Sequence, residues 1–351
     1  MIDLFPLLRP FIFLLDPEEA HNLTVKGLKA GFSPIYFQED DDPILRTSVF
    51  GLEFNNPVGL AAGFDKNAEV MDAMLNQGFG FVEAGTVTPL PQAGNDKPRL
   101  FRLKADKAVV NRFGFNNFGL EVFADNLHMR RHNPGIIGAN VGANKDSKDR
   151  VSDYVKGIRA LNGLASYFTV NISSPNTPGL RALQSREALE DLLRKVIGAR
   201  NEGPATPVLL KIAPDLNADD ISDIAAVALS SGIDGIIVSN TTIERQDSLK
   251  SEYKNEKGGL SGAPLMARST QILSSIYQAT NGKIPLVGVG GISSGADAYA
   301  KIRAGASLVQ LYSMLVYRGT GLVYKVKNEL AACIKADGFT SISQAVGADH
   351  K

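Results

Sequence analysis

The stretch Asn171-Ile-Ser-Ser-Pro-Asn-Thr-Pro-Gly179 sets amides, hydroxyls and two prolines directly behind an apolar run, Tyr167 to Ile172. Short donors and acceptors on a rigid strand end are what a polar substrate pocket needs. Alone, the stretch reads as an ordinary turn and helix cap. It gains weight because similar clusters follow almost every other apolar run. They are Ala61-Ala-Gly-Phe-Asp-Lys-Asn67, Gly85-Thr86 with Thr88, Asn140, Lys211, Ser239-Asn-Thr-Thr242, Gly288-Val-Gly-Gly-Ile-Ser-Ser294 and Tyr312-Ser313.

These clusters suggest a division of chemistry. The glycine-rich turn at 288–294 opens a helix, and its amides can hold a phosphate at the helix N-terminus. A phosphate site with several Asn, Thr and Ser side chains and one lysine suits a planar cofactor with a phosphate tail, and flavin mononucleotide fits. Lys211 could stabilise negative charge near a reduced flavin ring; the plainer reading is a lysine at a barrel rim. Lys66, Asn111, Asn116, Asn171, Asn176, Asn240 and Thr241 suit a small imide-and-carboxylate ligand, because amides both donate and accept while the lysine pairs with an anion. No histidine ends an apolar run and the sole cysteine, Cys333, lies in the last helix, so the candidate base is a hydroxyl, Ser173 or Ser174. The residues alone do not choose between the two.

The elements that would position these residues repeat. Apolar runs at Val58–Ala61, Gly80–Ala84, Ile136–Asn140, Tyr167–Ile172, Val208–Ile212, Gly235–Ser239, Pro285–Val289 and Leu308–Leu311 alternate with helical patterns such as Ala68–Gln77, Ser185–Arg200, Asp219–Ser231 and Ala267–Thr280. Eight strand–helix units predict an α/β fold, a (β/α)8 TIM barrel, with the site at the carboxyl ends of the strands. A doubly wound open sheet is the alternative, disfavoured because no Gly-x-Gly-x-x-Gly follows the first run. Residues 48–54 predict a small hairpin, and Arg99–Leu103 with Ala108–Phe113 a second. The segment 239–262 reads as a solvated excursion.

Residues 1–40 predict a helical pair, with Asp16 as N-cap, Pro17 at the first helical position and Gly31 ending the second helix. The first helix is apolar nearly all round, so its surplus must face a neighbouring domain, a partner or a membrane surface. Glu39-Asp40-Asp41-Asp42-Pro43 reads as a linker, 41–339 as the barrel domain, and 340–351 as a frayed tail. Lys+Arg and Asp+Glu are 37 each, which argues against a nucleic-acid binder. One cysteine and four histidines without metal spacing leave no internal disulfide and no expected metal site. The run Leu4 to Leu15 is too short to span a bilayer, and no signal or transit sequence opens the chain.

As a set, Ala61–Asn67, Val82-Glu-Ala-Gly-Thr-Val-Thr-Pro89, Pro98-Arg-Leu-Phe-Arg-Leu103, Asn111-Arg-Phe-Gly-Phe115, Asn171–Thr177, Lys211-Ile-Ala-Pro-Asp215, Gly258-Gly-Leu-Ser-Gly262 and Gly288–Ile292 resemble the dihydroorotate dehydrogenases, specifically the membrane-associated, quinone-reducing class 2. The resemblance spans nearly the whole chain. It implies oxidation of dihydroorotate to orotate in pyrimidine (UMP) synthesis, with FMN as cofactor, quinone as acceptor, no metal and no nucleic-acid partner. By motif position Ser174 corresponds to the serine that takes the C5 proton while hydride leaves C6 for flavin N5. Lys66, Asn111, Arg112, Phe113, Gly114, Phe115, Asn171, Asn176, Asn240 and Thr241 fall on the substrate side. Ala61, Ala62, Gly63, Phe64, Asp65, Gly85, Thr86, Asn140, Asn171, Lys211, Ser239, Gly262, Gly291, Tyr312 and Ser313 fall on the flavin side. The helical pair would then be a membrane-surface patch through which quinone arrives, with Arg102 along that route, and the protein would lie on the cytoplasmic face of the cell membrane. Two rival readings keep the barrel: a flavoenzyme using fumarate or a nicotinamide-linked acceptor, and a non-catalytic phosphate-ligand binder.

Overall fold

The computed structural model describes residues 5–32 and 40–351. Eight parallel strands form a closed ring: β1 Val58–Leu60, β2 Phe81–Val87, β3 Ile136–Val141, β4 Tyr167–Asn171, β5 Val208–Ile212, β6 Gly235–Val238, β7 Leu286–Val289 and β8 Ala306–Leu311. Each pairs with the next in the chain, and β8 returns to β1 with Val309 opposite Val58. The expected (β/α)8 barrel is the observed one, and helices such as Arg186–Arg200, Ala218–Ser231 and Met266–Ala279 surround it.

Alternation along each strand sorts the interior. Outward residues, among them Val58, Val82, Ile137, Val170, Leu210 and Ile236, join Leu192, Ile224, Ile276 and Val326 of the helices in one large core. Inward residues Phe81, Tyr167, Leu209, Ile237, Val287 and Leu308 form a second core that fills the amino end of the barrel. The hairpin Thr47–Val49/Leu52–Phe54 closes that end with Val49 and Phe54. Its turn is tight because Phe50 and Gly51 both take left-handed φ, 58° and 75°. Two residues further along the same inward rows come Glu83, Thr169, Lys211, Ser239 and Gln310. The barrel is therefore dry and aromatic at one end and polar at the other.

Loops at the polar end add a three-stranded antiparallel sheet, Leu100–Leu103, Ala108–Asn111 and Gly259–Gly262. The third strand corrects the reading of 239–262 as a solvated excursion. Leu249 and Leu260 are buried there with Phe101, Leu103 and Val110, an apolar pair hidden in a polar stretch. Residues 340–351 also differ from the frayed tail expected. Ile342 and Ala345, on one short helix, are buried, and the His350 ring stacks on Tyr277 at 5.1 Å. Asp41 and Asp42, expected in a linker, ion-pair with Lys327 and Lys335. The expected segment 1–40 includes residues 1–4 and 33–39, which lie outside the described residues.

The helical pair is α1, Phe5–Ile12, and α2, Pro17–Lys29. Asp16 caps α2, accepting from the Glu18 and Glu19 amides at 2.8 and 3.1 Å, with Pro17 first in the helix. Glu18 reaches back to Arg99, ahead of the small sheet, and receives two bonds of 3.0 and 2.8 Å. Leu7, Phe11, Leu14 and Phe32 remain exposed, Leu14 by 84% and Phe32 by 81%.

Glycines on the inward rows give the aromatic plug its room. A Cβ at Gly138 would stand 2.1 Å from the buried Tyr167 ring. Gly138→Ala should therefore destabilise the fold by about 1–3 kcal/mol through overpacking. Gly198→Ala, in the helix Arg186–Arg200 with nothing within 4 Å of its would-be Cβ, should stabilise by roughly 0.5–1 kcal/mol. Thermal unfolding of the two variants checks both signs.

Candidate active site

The polar strand ends open into a cavity of about 950 Å³ that continues between α1 and α2. Its inner wall includes Thr86, Asn171, Ser174, Lys211, Asn240 and Gln310; its outer wall includes Leu8, Ile12, Phe13, Ala20 and Leu28. A polar chamber thus leads into an apolar passage. Arg102 stands at the passage, its guanidinium 4.7 Å above the Phe13 ring and bonded to the Leu15 carbonyl at 3.1 Å.

The chamber floor is ordered by one carboxylate. Glu83, on β2, has no solvent exposure. Oε1 accepts from Asn140 Nδ2 at 2.7 Å and faces Lys211 Nζ at 3.7 Å. Oε2 accepts from Gln310 Nε2 at 2.9 Å and from the Tyr167 and Thr169 hydroxyls at 3.1 Å each. Burial first, and then the adjacent Glu83 charge, push the Tyr167 phenol well above its ordinary pKa, so it stays a donor. Asn140 passes the order on: its Oδ1 accepts from Thr86 Oγ1 at 2.5 Å and Asn171 Nδ2 at 3.3 Å.

The turn after β4 separates the two serines. Ser173 is wholly buried; its hydroxyl donates to Asn171 Oδ1 at 3.0 Å and accepts from Asn240 Nδ2 at 3.0 Å. Ser174 lies on the cavity wall, and its Oγ accepts only a bond of 3.2 Å from the Asn176 amide among the described contacts. Asn176 Nδ2 in turn bonds the Asn111 carbonyl at 3.1 Å, joining the turn to the small sheet. Arg181 braces the same turn from outside, donating to the Ser173 carbonyl at 3.0 Å and pairing with Asp215 at 2.8 Å.

Lys66 also lines the cavity, 3.3 Å from His21 Nε2 and 4.5 Å over the Phe113 ring. Burial lowers its pKa to about 8, against the pull of Glu18. Burial also drives His21 well below its ordinary value, with Lys66 adding to the effect, so the imidazole is neutral. Glu18 has its own balance: burial would raise its pKa, but the Arg99 bonds and charge bring it below the usual carboxylate range.

Of the residues singled out from sequence, Lys66, Asn111, Phe113, Gly114, Phe115, Asn171, Asn176, Asn240 and Thr241 line this one cavity, as does Ser174. So do Ala61, Ala62, Gly63, Phe64, Thr86, Lys211, Ser239, Gly262, Gly291, Tyr312 and Ser313. Four do not. Arg112 turns outward to Glu256 at 2.7 Å, over the Phe101 ring. Asp65 is buried and accepts the Glu69 and Val70 amides at 2.8 Å each, holding the turn after β1. Gly85 lies against Asn140, whose carbonyl a Cβ would meet at 2.4 Å, and Asn140 acts from beneath Thr86. Sequence reasoning missed Glu83, Gln310, His21 and the Glu18–Arg99 pair. Glu83 and Gln310 are polar interruptions of apolar strands, the one available signal.

The chamber fits a bound planar group with a phosphate. Asn116 Oδ1, Thr241 Oγ1 and Gln310 Oε1 are buried atoms without a hydrogen-bond partner, and all three residues line it; a ligand carrying N–H and O–H groups would satisfy them. Gly290 and Gly291, after β7, both take left-handed φ, 110° and 81°. A Cβ at Gly291 would meet Met266 at 2.5 Å, so bare backbone faces the cavity there. Among the described residues no group of three or more His, Cys, Asp or Glu could hold a metal ion.

A family model for dihydroorotate dehydrogenase matches residues 44–334. The chain belongs to the dihydroorotate dehydrogenase family. It is 60% identical over 349 residues to a dihydroorotate dehydrogenase (quinone) of Parvibaculum lavamentivorans, covering 99% of each chain. It is 56% identical over 355 residues to one from Xanthobacter autotrophicus, again covering 99% of each. Among solved structures it superimposes on the Eimeria tenella family member in complex with ferulenol at a TM-score of 0.95, with 42% identity and full coverage of both chains. The chain is an oxidoreductase of this quinone-linked branch, and the resemblance read from its motifs stands.

Proposed function

We propose that the protein oxidises (S)-dihydroorotate to orotate in pyrimidine synthesis, with flavin mononucleotide in the polar chamber and quinone as the final acceptor. The observation that carries this reading is the continuity of the cavity. Polar groups for an imide and a carboxylate line one end, and an apolar passage through α1 and α2 leads from it. Relatives at 53–60% identity bear the quinone-linked name over nearly the whole chain.

Bound against Thr86, Lys211, Gly291, Tyr312 and Ser313, flavin mononucleotide would supply a hydride acceptor for substrate C6 and a donor for quinone. The chain's residues do the rest. Lys66, still charged below about pH 8, pairs with the substrate carboxylate. Asn111, Asn176, Asn240 and Thr241 orient the imide. Ser174 Oγ takes the C5 proton as its own hydroxyl proton passes on to solvent; it lies on the cavity wall with that O–H uncommitted, whereas Ser173 is tied to Asn171 and Asn240. The carbon acid is activated because hydride departure from C6 relieves the charge developing at C5, so a weakly basic hydroxyl suffices when correctly placed. The inner wall, with most of its residues buried, keeps water from competing for that proton.

The apolar outer face would rest on a membrane surface on the cytoplasmic side, as a peripheral attachment. Leu7, Phe11 and Leu23 on the helical pair, and Leu14 and Phe32 just past the helix ends, are all exposed. No helix among the described residues is long and apolar enough to cross a membrane.

Ser174→Ala should leave flavin bound and quinone reoxidation intact, while slowing flavin reduction by dihydroorotate at neutral pH by at least 10²-fold, the usual range for a lost proton acceptor. Stopped-flow absorbance separates the two half-reactions; unaltered reduction would remove the serine from this role. Orotate affinity should also follow Lys66. Below about pH 8 the lysine is charged; above it, the free protein loses that charge, and affinity should fall up to tenfold per pH unit until the pKa of the complex is reached. Titrating orotate against the flavin spectrum from pH 6 to about 9.5 checks this, and Lys66→Met should flatten the profile.

A further inference from the structure

Glu83 does more than fill the barrel. It is a fully buried carboxylate one layer below the chamber, gathering hydrogen bonds from β3, β4 and β8 and an ion pair from β5. A carboxylate only accepts, so every amide that touches it must turn its NH2 group inward. Gln310 obeys: Nε2 points to Glu83 at 2.9 Å, which leaves Oε1 buried and unpartnered on a residue that lines the cavity. Lys211, at the same time, has its charge compensated from below, at 3.7 Å, while lining the chamber. The same carboxylate thus fixes one acceptor and discounts one positive charge at the chamber floor.

We propose that Glu83 is a positioning residue for the bound flavin: it offsets the Lys211 charge and presents the Gln310 carbonyl to the ring, and so holds the ring's reduction potential down. This rests on the flavin reading given above. Without the carboxylate, Lys211 would have the electron-rich reduced ring as its nearest counter-charge, in a site of low dielectric where such a pairing is strong. Reduction would become easier. The Gln310 amide, freed from an acceptor-only neighbour, could turn its NH2 group to the ring and add to the same effect.

The test is the midpoint potential of the flavin in purified holoenzyme, measured by dye equilibration. Glu83→Gln, close in shape, should shift the potential positive. Glu83→Asp keeps the charge but draws it back by one methylene, and should shift it in the same direction by less. In a Lys211→Met background the Glu83→Gln shift should shrink, because the charge it unmasks is gone. A Glu83→Gln holoenzyme with the wild-type potential, or a shift of equal size with and without Lys211, overturns the proposal. A merely structural role lowers the thermal midpoint and leaves the potential in place. Should Glu83→Gln not accumulate as holoenzyme, Glu83→Asp carries the decision, and an unmoved potential there overturns the proposal equally. Wild-type protein that binds no flavin would overturn the flavin reading itself, a result distinct from bound flavin with unmoved potentials.

Discussion

A carboxylate buried inside a ring of eight strands cannot stand alone, and Glu83 makes the ring around it polar. Burying an uncompensated charge costs several kcal/mol or more, so the neighbouring inward positions must supply donors. They are Asn140, Tyr167, Thr169, Lys211 and Gln310, from four other strands. Below that layer the inward rows are Phe81, Leu209, Ile237 and Leu308, closed off by Phe54. The transition from apolar plug to polar floor occurs within two residues at Phe81/Glu83, Tyr167/Thr169, Leu209/Lys211, Ile237/Ser239 and Leu308/Gln310. It puts the polar, cavity-lining groups at the carboxyl ends and leaves the other end to packing.

The same division continues outward. The cavity-lining groups nearest the barrel are amides, hydroxyls and lysines, while the passage beyond them is walled by α1 and α2. What joins the two regions is largely ionic. Glu18 of α2 meets Arg99, both less than a tenth exposed, and Arg102 clasps the chain between the helices. Lys66 and His21 touch where chamber and passage meet. One cavity is therefore lined by polar groups at one end and by apolar groups at the other.

Much of this was legible in the sequence. Parallel strands buried on both faces read as short apolar runs, and all eight were visible. Asp16-Pro17 announced the start of α2 because a side-chain cap and a fixed φ are local signals. Polar clusters at strand ends were visible because their spacing followed the strand rhythm. Other features depend on what lies across the fold. Glu83 and Gln310 looked like interruptions, since nothing local says they face each other. The strand Gly259–Gly262 has two glycines and little β propensity, and exists because Ala108–Asn111 offers it an edge. Ile342 and Ala345 looked like tail residues, but they are buried in the main core, their short helix in contact with the helix Gly295–Arg303. Arg112, from a motif otherwise facing the cavity, was taken outward by Glu256, a partner 144 positions away.

If the proposed function holds, flavin bound in this one cavity takes electrons from dihydroorotate at the polar end and yields them to quinone at the apolar end. The most direct test is an anaerobic titration of the purified, membrane-reconstituted protein with dihydroorotate, followed by addition of a quinone. The account predicts a yellow protein that bleaches with about one equivalent of dihydroorotate per bound flavin and regains its colour with quinone. A protein without flavin, or a flavin whose colour dihydroorotate leaves unchanged, would contradict it.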